Sequence, residues 1–242
     1  SGKSQEQRQK VQPAMRLYAG SSTNFINLNR KNQIAELLRE EFMKQFEYNP
    51  SQSEVMSWRN SLMRLSMLFE DAELTDHGVF VEYKLPLSSK RIDVMVCGKD
   101  EEDTKNAVII ELKQWEKTQL TDIDSDYIVT WRGGGNRNIL HPSVQVGNYK
   151  YYLQENNTAF YRADDPIQLH ACSYLHNYNF YNQDAIFDDR FQDAIERFPV
   201  YTADDTGELA SYLSNTLEKG DGMEILSDIE NSKVRPSKKL LK

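Results

Sequence analysis

Cysteine, histidine and long apolar runs are scarce in this 242-residue chain, and each scarcity excludes a class of protein. The two cysteines, Cys97 and Cys172, lack metal-type spacing, which favours two reduced core thiols in a cytoplasmic protein. The four histidines are too scattered to form a metal site. No apolar run approaches the ~20 residues that span a bilayer, and no charged-then-apolar signal peptide opens the chain. The sequence therefore predicts a globular cytoplasmic protein without a membrane partner.

The chain divides into a polar lead, one domain and a basic end. Residues 1–14 are polar and aperiodic, which indicates a disordered or non-native lead. Residues 15–228 hold the periodic apolar segments and suffice for one domain with a substantial core. Residues 229–242 are predicted to form a linker, because basic residues crowd around Pro236. We expect the natural protein to continue beyond this linker; a frayed basic tail is the alternative.

Apolar periodicity predicts two helices, three strands, a helix, a strand and a helical end. The second helix begins with a capping box, Ser51-x-x-Glu54. Alternation in the first strand places Val79, Val81 and Tyr83 on one face. The triple glycine that follows Arg132 predicts a flexible loop, since it lacks the GK[ST] ending of a phosphate-binding loop. This order of elements predicts an α/β fold, in which helices flank a central mixed sheet. The predicted segments are 34–46, 51–69, 79–85, 91–97, 107–113, 142–155, 167–178 and 205–220.

Acidic residues stand in two of these short apolar strands, where an ordinary buried strand avoids them. Asp93 lies in RIDVMV, and Glu111 and Lys113 end AVIIELK. Two hard oxygen ligands can hold Mg²⁺ or Mn²⁺. A neighbouring lysine can orient water or offset the charge that develops on a phosphate group. The pattern is typical of metal-dependent phosphodiester cleavage and predicts a nuclease domain.

Strand geometry places Glu111 and Lys113 on one face, roughly 6.5–7 Å apart. The carbonyl of Leu112 lies between them and is a further candidate metal ligand. If the two strands are neighbours, Asp93 approaches Glu111 to ~5 Å between Cβ atoms. Two carboxylates at that distance repel each other unless a cation joins them. The sequence does not fix the register on which this arrangement depends.

A polar pair on the following helix is the next candidate. Gln145 and Tyr149 are four residues apart and so face the same way. They can place the scissile phosphate or the attacking water. The alternative is that Tyr149 and Tyr152 are amphipathic core aromatics.

The charge balance argues weakly against a nucleic-acid partner, because the formal net charge is −8. It does not exclude a nuclease, since a local basic strip can coexist with an acidic whole. A scatter of basic residues is more often a solvated face than a binding strip. The basic residues near the acidic pair in sequence are Lys84, Lys90, Arg91, Lys113, Lys117, Arg132 and Arg137.

In their order along the chain, Asp93, Glu111-x-Lys113 and Gln145-x-x-x-Tyr149 resemble the PD-(D/E)XK nuclease superfamily. The last element is similar to its RecB-like branch. The resemblance implies a restriction-endonuclease-like αβββαβ core over about residues 30–178. It also implies that Asp93 and Glu111 bind Mg²⁺ or Mn²⁺, that Lys113 acts on the water or transition state, and that the helix pair supports substrate placement. Ile92 stands where the family motif has its proline.

Relatives of this kind often carry another acidic residue on the first helix. Glu36 is the best-placed candidate here, with Glu40 next. Glu82, on the strand before Asp93, can also reach the site, but its face depends on the register.

Longer strings resemble the N-terminal region of bacterial proteins in which such a domain precedes a Schlafen-like superfamily 1 helicase. The resemblance implies that a helicase domain follows this chain, which itself has no Walker A motif. It also suggests genome maintenance or defence against foreign nucleic acid, at the level of fold analogy. The strings are LYAGSSTNFI, SEVMSWRNSL, LPLSSKRIDVMV, IIELKQWE and PSKKLL.

Three interpretations of the acidic pair stay open at this point. The first is a catalytic site that cleaves nucleic acid, with DNA favoured over RNA. The second is a catalytically silent module of the same fold that binds nucleic acid or a protein partner. The third is a structural ion pair of Asp93 or Glu111 with Lys113 or Arg91.

Overall fold

A six-stranded mixed sheet forms the centre of the protein, which a computed structural model describes over residues 16–122, 126–132, 134–161, 164–179 and 184–235. The predicted lead at 1–14 lies outside the described residues. In spatial order the strands of this sheet are β1 (Tyr18–Ser21), β2 (Gly78–Lys84), β3 (Arg91–Lys99), β4 (Lys105–Lys113), β8 (Gln168–Leu175) and β9 (Val200–Thr202). A separate three-stranded sheet consists of β5 (Thr118–Leu120), β6 (Tyr127–Arg132) and β7 (Gly135–Leu140).

Seven α-helices lie within the described residues, and they flank the central sheet. They are α1 (Ser22–Arg30), α2 (Ile34–Phe46), α3 (Gln52–Asp71), α4 (Pro142–Asn156), α5 (Gln192–Arg197), α6 (Thr206–Thr216) and α7 (Gly222–Glu230). Strands β1 to β4 are antiparallel neighbours, whereas β8 pairs in parallel with β4 and β9. Because β4 and β8 are parallel, the chain must cross between them, and α4 lies in that crossover. The run α3, β2, β3, β4, α4, β8 confirms the predicted α/β fold with a mixed sheet between helices.

Helix α3, the second of the predicted helices, begins after Ser51 as the capping box predicts, but only one of the two hydrogen bonds of that box is formed. Ser51 Oγ accepts a hydrogen bond from the backbone N–H of Glu54 at 3.1 Å. The Glu54 carboxylate pairs with Arg91 at 2.8 Å. The N-cap therefore stabilises α3, while Glu54 ties the first turn of α3 to the start of β3.

The two faces of the sheet bury separate apolar clusters. One face contacts α1, α2, α3 and α6 through residues such as Val96 and Val108. The opposite face contacts α4 and α7 through residues such as Met95 and Ile109. A sheet covered on both faces allows near-continuous apolar strands, which is why a carboxylate in β3 or β4 requires special surroundings.

The predicted alternation along β2 is wrong at its centre. Val79 and Val81 pack on the α3 side, but Tyr83 packs on the α4 side. Glu82 between them has a φ of 53°, in the left-handed region that non-glycine residues rarely adopt. The alternation along β3 also breaks, with Ile92 on the α4 side and Val94 on the α3 side. This local twist sets the direction of the side chains at the ends of β2 and β3.

The small sheet replaces the flexible loop that the triple glycine predicts. Strands β6 and β7 pair antiparallel from Tyr127↔Leu140 to Arg132↔Gly135, so Gly134, with a φ of 84°, lies in a hairpin turn. A signal was present in the sequence, since YIVTW combines β-branched and aromatic residues before a glycine turn.

The folded part extends beyond the predicted boundary at residue 228. Ile229 belongs to the buried core, and the backbone N–H of Arg235 donates to the Asn156 carbonyl at 2.8 Å. Val234 forms a β-bridge with Asn157. Ile229 and Glu230 thus end α7, and residues 232–235 pack against the end of α4, whereas a linker was predicted from residue 229. Residues 236–242 lie outside the described residues.

Both cysteines, Cys97 and Cys172, are buried free thiols. Among the described helices, none combines the length and apolar character needed to cross a membrane.

The close packing of α7 against the sheet gives a test of this fold. A Cβ atom added to Gly222 would lie 2.0 Å from the backbone nitrogen of Gly78 and 2.3 Å from the Cys97 carbonyl oxygen. Since backbone atoms cannot yield to it, Gly222→Ala should lower the free energy of unfolding by about 1–3 kcal/mol or more. Urea denaturation measures this loss.

Gly207→Ala is the matched control, because no heavy atom lies within 4 Å of its added Cβ and the residue is helical. That variant should be neutral or more stable by up to about 1 kcal/mol. Equal stability of the two variants would contradict the packing of α7 on β2 and β3.

Candidate functional site

A cleft of about 790 Å³ lies between the N-terminal halves of α3 and α4, beside the last residues of β4. All the side chains predicted to form the site line this cleft except Glu36, and so does Leu112. The predicted residues that it brings together are Asp93, Glu111, Lys113, Gln145 and Tyr149.

Asp93 and Glu111 lie side by side where the ladder between β3 and β4 ends. The last paired residues are Val94 and Ile110, so the two carboxylates occupy the next step of the same register. The backbone N–H of Asp93 donates to Glu111 Oε1 at 3.3 Å, and the backbone N–H of Leu112 donates to Asp93 Oδ2 at 2.8 Å. Each carboxylate thus accepts an N–H of the opposite strand, which fixes the orientation of both.

Burial and the neighbouring charge of Asp93 disfavour the charged form of Glu111. Glu111 is only 3% exposed, and burial raises its pKa well above the usual range. The negative charge of Asp93 raises the same pKa further, while the Lys113 ammonium lowers it. A proton or a cation at this place relieves the repulsion.

Glu82 supplies a third buried carboxyl group to the cleft. Its Oε1 accepts a hydrogen bond from Trp58 Nε1 at 3.1 Å, and its Oε2 lies 3.3 Å from Arg91 Nε. Burial raises the pKa of Glu82 to about 8; the charge of Asp93 adds to this rise, and Arg91 opposes it. Because both of its oxygens are engaged, Glu82 acts as a neighbour of the acidic pair rather than as a free ligand.

Arg91 connects the strands to the first turn of α3. Its guanidinium contacts Glu54 and Glu82 and lies 5.6 Å from the centre of the Phe42 ring. Its Nη1 is buried and has no hydrogen-bond partner among the described residues. Arg91 therefore pairs with Glu82 and Glu54, whereas the structural interpretation paired it with Asp93 or Glu111.

Lys113 shares the cleft with Glu111 and does not form an ion pair with any carboxylate of the described residues. Its Nζ lies 5.3 Å from the ring centre of Trp115, a contact that orients an ammonium group without neutralising it. A cation thus remains available beside the acidic pair.

Gln145 and Tyr149 approach the acidic pair from α4. Gln145 Nε2 donates to the Tyr149 hydroxyl at 3.0 Å, while Gln145 Oε1 is buried without a partner among the described residues. Burial raises the pKa of Tyr149 to about 12, and the charge of Glu111 acts in the same direction. The tyrosine is therefore a neutral hydroxyl at physiological pH, and the glutamine presents an unpaired amide oxygen.

Glu36 is not brought to the cleft, contrary to the prediction. Its carboxylate is exposed on α2 and pairs with Arg39 at 2.5 Å, one turn along the same helix. Glu40 does not line the cleft either. A sequence pattern does not reveal which element a helix face meets, and the helices that line the cleft are α3 and α4.

Sequence reasoning missed several residues of that wall and of the small sheet. Glu54 was interpreted only as part of a capping box, and Trp58 was not a candidate for the site. Gln114 Nε2 donates to Ser57 Oγ at 2.8 Å, which joins α3 to the end of β4. The lining residues that were not predicted include Glu54, Trp58 and Trp131.

Three basic residues of the cleft differ from those at the far end of the sheet in whether they have an acidic partner. Lys90, Lys113 and Arg132 line the cleft, and none has a carboxylate within ion-pair distance among the described residues. In contrast, Lys99 and Lys105, at the opposite ends of β3 and β4, pair with acidic residues of α7 and its surroundings. Unpaired positive charge therefore remains at the cleft in a chain whose formal net charge is −8.

The oxygen donors that a metal ion can use here are the carboxylates of Asp93 and Glu111. In the described part of the chain, no three His, Cys, Asp or Glu side chains form a group that could hold a metal. A cation at this place would complete its coordination shell with water, substrate oxygens or a backbone carbonyl, as Mg²⁺ usually does in proteins.

No protein family, curated protein or solved structure matches this chain in comparisons with known proteins.

The raised pKa of Glu82 predicts how stability depends on pH. The carboxyl group ordinarily titrates near 4.5, so the folded protein binds an extra proton between about 4.5 and 8. This contribution is fully present below pH 4.5 and is lost as the pH rises through about 8. In EDTA, the free energy of unfolding should therefore be lower at pH 8 than at pH 5, with a smaller difference for Glu82→Gln. Chemical denaturation of both proteins at both pH values tests this, and an unchanged difference in the variant would contradict it.

Proposed function

We propose that this chain is a Mg²⁺- or Mn²⁺-dependent nuclease domain of the PD-(D/E)XK type, which hydrolyses phosphodiester bonds of nucleic acid, with DNA favoured over RNA. The observation that carries the proposal is the pairing of Asp93 with Glu111 beside an unpaired Lys113 in one cleft. A structural ion pair is less well supported, because Arg91 pairs with Glu54 and Glu82 instead. Among the described residues, neither Asp93 nor Glu111 has a Lys or Arg partner within ion-pair distance.

The donor set fits a hard divalent cation. Carboxylate oxygens are the preferred ligands of Mg²⁺ and Mn²⁺. Burial and the charge of Asp93 raise the pKa of Glu111, an effect that a bound cation would oppose. Asp93 and Glu111 would hold the cation, with the Leu112 carbonyl as a further candidate ligand. When bound, such an ion polarises a phosphoryl oxygen and lowers the pKa of a water molecule.

The remaining side chains act on the substrate and on the water. Lys113 places an ammonium group within reach of the phosphate, where it offsets the negative charge that develops during hydrolysis. The free Oε1 of Gln145 can accept a hydrogen bond from the attacking water and so orient it. The neutral hydroxyl of Tyr149 holds the Gln145 amide in place.

The distribution of charge supports a nucleic-acid substrate. Lys90, Lys113 and Arg132 contribute unpaired positive charge along the cleft. The N-terminal halves of α3 and α4 line it as well, and helix N-termini favour anions. A polyanion can thus approach this part of an otherwise acidic protein.

The proposal includes a helicase domain as the partner of this chain. The sequence resemblance alone supports that partner. A cytoplasmic location is also part of the proposal, because two buried free thiols fit a reducing compartment.

A catalytically silent nucleic-acid- or protein-binding module is the second candidate. The observation that favours it is the engagement of Glu82 with Trp58 and Arg91, which leaves two carboxylates instead of three for metal binding. The two candidates differ in whether the cleft cuts what it binds.

Substitution of the acidic pair and the lysine tests the proposal. Asp93→Asn, Glu111→Gln and Lys113→Ala should each reduce Mg²⁺- or Mn²⁺-dependent cleavage by at least about 100-fold, because each removes a ligand or a transition-state charge. The measurement is hydrolysis of single- and double-stranded DNA and RNA with Mg²⁺, Mn²⁺ or EDTA. Glu36→Gln is the matched control and should retain full activity, since its carboxylate lies outside the cleft.

Binding of Mn²⁺, followed by calorimetry, separates the two candidates. Loss of binding in Asp93→Asn and Glu111→Gln, together with cleavage by the wild type, supports the nuclease. Nucleic-acid binding without cleavage or metal binding would favour the silent module. Cleavage that survives in all three cleft variants would remove the assignment.

A further inference from the structure

Trp131 is the most exposed large apolar side chain among the described residues, and it lines the cleft that holds Asp93 and Glu111. Its side chain is 67% exposed, near the tip of the β6–β7 hairpin. Single exposed apolar side chains are common, but an indole at the edge of this cleft offers a flat aromatic surface to whatever the cleft binds.

The exposed tryptophan does not belong to the apolar core of the small sheet. Ile128 and Thr130 are the buried residues of β6, and Ile128 packs with Trp115 and Tyr178. Trp131 lies in the alternate set, on the face that the small sheet turns away from that core. Packing of the hairpin therefore does not account for this side chain.

Polar groups surround the indole on this face. Asn136 is directly opposite Trp131 in the register, and Asn138 is opposite Val129. Residues opposite each other in an antiparallel pair share a face, so both asparagines lie on the face of the hairpin that carries Trp131. Arg132 follows in the chain, lines the same cleft and has no carboxylate partner among the described residues.

This combination fits a nucleobase better than an apolar peptide. A base offers a flat π-face for the indole, hydrogen-bonding edges for the amides and a neighbouring phosphate for Arg132. An apolar helix or strand would leave the amides and the guanidinium without partners, which is costly in an interface.

We propose that Trp131 stacks on an unpaired base, and that the cleft therefore takes single-stranded nucleic acid, or a strand separated at a junction or end. In a duplex the faces of internal bases are already stacked on their neighbours and cannot reach an indole. The inference rests on the proposed nucleic-acid function of the same cleft and adds the class of strand that it accepts.

Binding without cleavage tests this inference. Fluorescence anisotropy of labelled single-stranded and duplex oligonucleotides is measured in EDTA and in Ca²⁺, with wild type, Trp131→Ala and Trp131→Phe. Wild type should bind the single strand more tightly than the duplex. Trp131→Ala should raise the Kd for the single strand about 5- to 150-fold, the range of one base–aromatic stack, whereas Trp131→Phe should retain most of the affinity.

Tyr127→Ala is the matched control. Tyr127 lies on the same strand and face, 37% exposed, about 13 Å along β6 by strand spacing, and it does not line the cleft. This variant should bind like wild type. A second experiment uses single strands in which one base is removed to leave an abasic position. The abasic position that weakens binding to the wild type should not weaken binding to Trp131→Ala any further, because that variant has already lost the stack.

The outcomes separate this inference from the proposed function. Unchanged single-strand affinity in Trp131→Ala overturns the stacking role and leaves the nuclease proposal intact. Equal binding of duplex and single strand overturns the strand class, as does equal loss for both. Absence of any nucleic-acid binding by wild type overturns both proposals and points to a protein partner on this face. Absence of cleavage with selective, Trp131-dependent binding overturns only the catalytic proposal.

Discussion

The cleft depends on one electrostatic constraint, the adjacency of a buried carboxylate and a half-buried one at the point where β3 and β4 stop pairing. Asp93 and Glu111 bond to backbone N–H groups of the opposite strand, so the sheet itself fixes their separation. A flexible surface pair could move apart, whereas this pair cannot. The repulsion between their charged forms is therefore relieved only by a proton or a cation, and the ammonium group of Lys113 lies in the same cleft.

A second set of contacts supports this arrangement from the α3 side. The left-handed backbone at Glu82 is costly for a non-glycine residue and persists only where its surroundings hold it. Trp58 and Arg91 hold its carboxyl group, and Arg91 in turn binds Glu54 of α3. The strand that carries Asp93 is thereby joined to the helix that forms one wall of the cleft.

The sequence allowed prediction of the features that follow from local periodicity and failed on those that arise from tertiary contacts. The fold class followed from apolar spacing, and the grouping of Asp93 with Glu111 followed from strand order. The break in alternation at Glu82 was not predictable, because it depends on partners that are distant in the chain. The prediction that Glu36 joins the site was wrong for a related reason, since the pattern of a helix does not show which element packs against it. The β6–β7 hairpin was predictable from YIVTW and its glycines, but the polar composition of the region concealed it.

The attachment of residues 232–235 to the end of α4 has a mechanical consequence. Ser232, Lys233 and Arg235 bond to residues 156–158, immediately beyond the helix whose first half carries Gln145 and Tyr149. An α-helix is stiff along its axis, and Asn157 lies about 12 Å beyond Tyr149 at 1.5 Å per residue. Residues 232–235 are thus anchored to the same rigid helix that carries Gln145 and Tyr149 into the cleft.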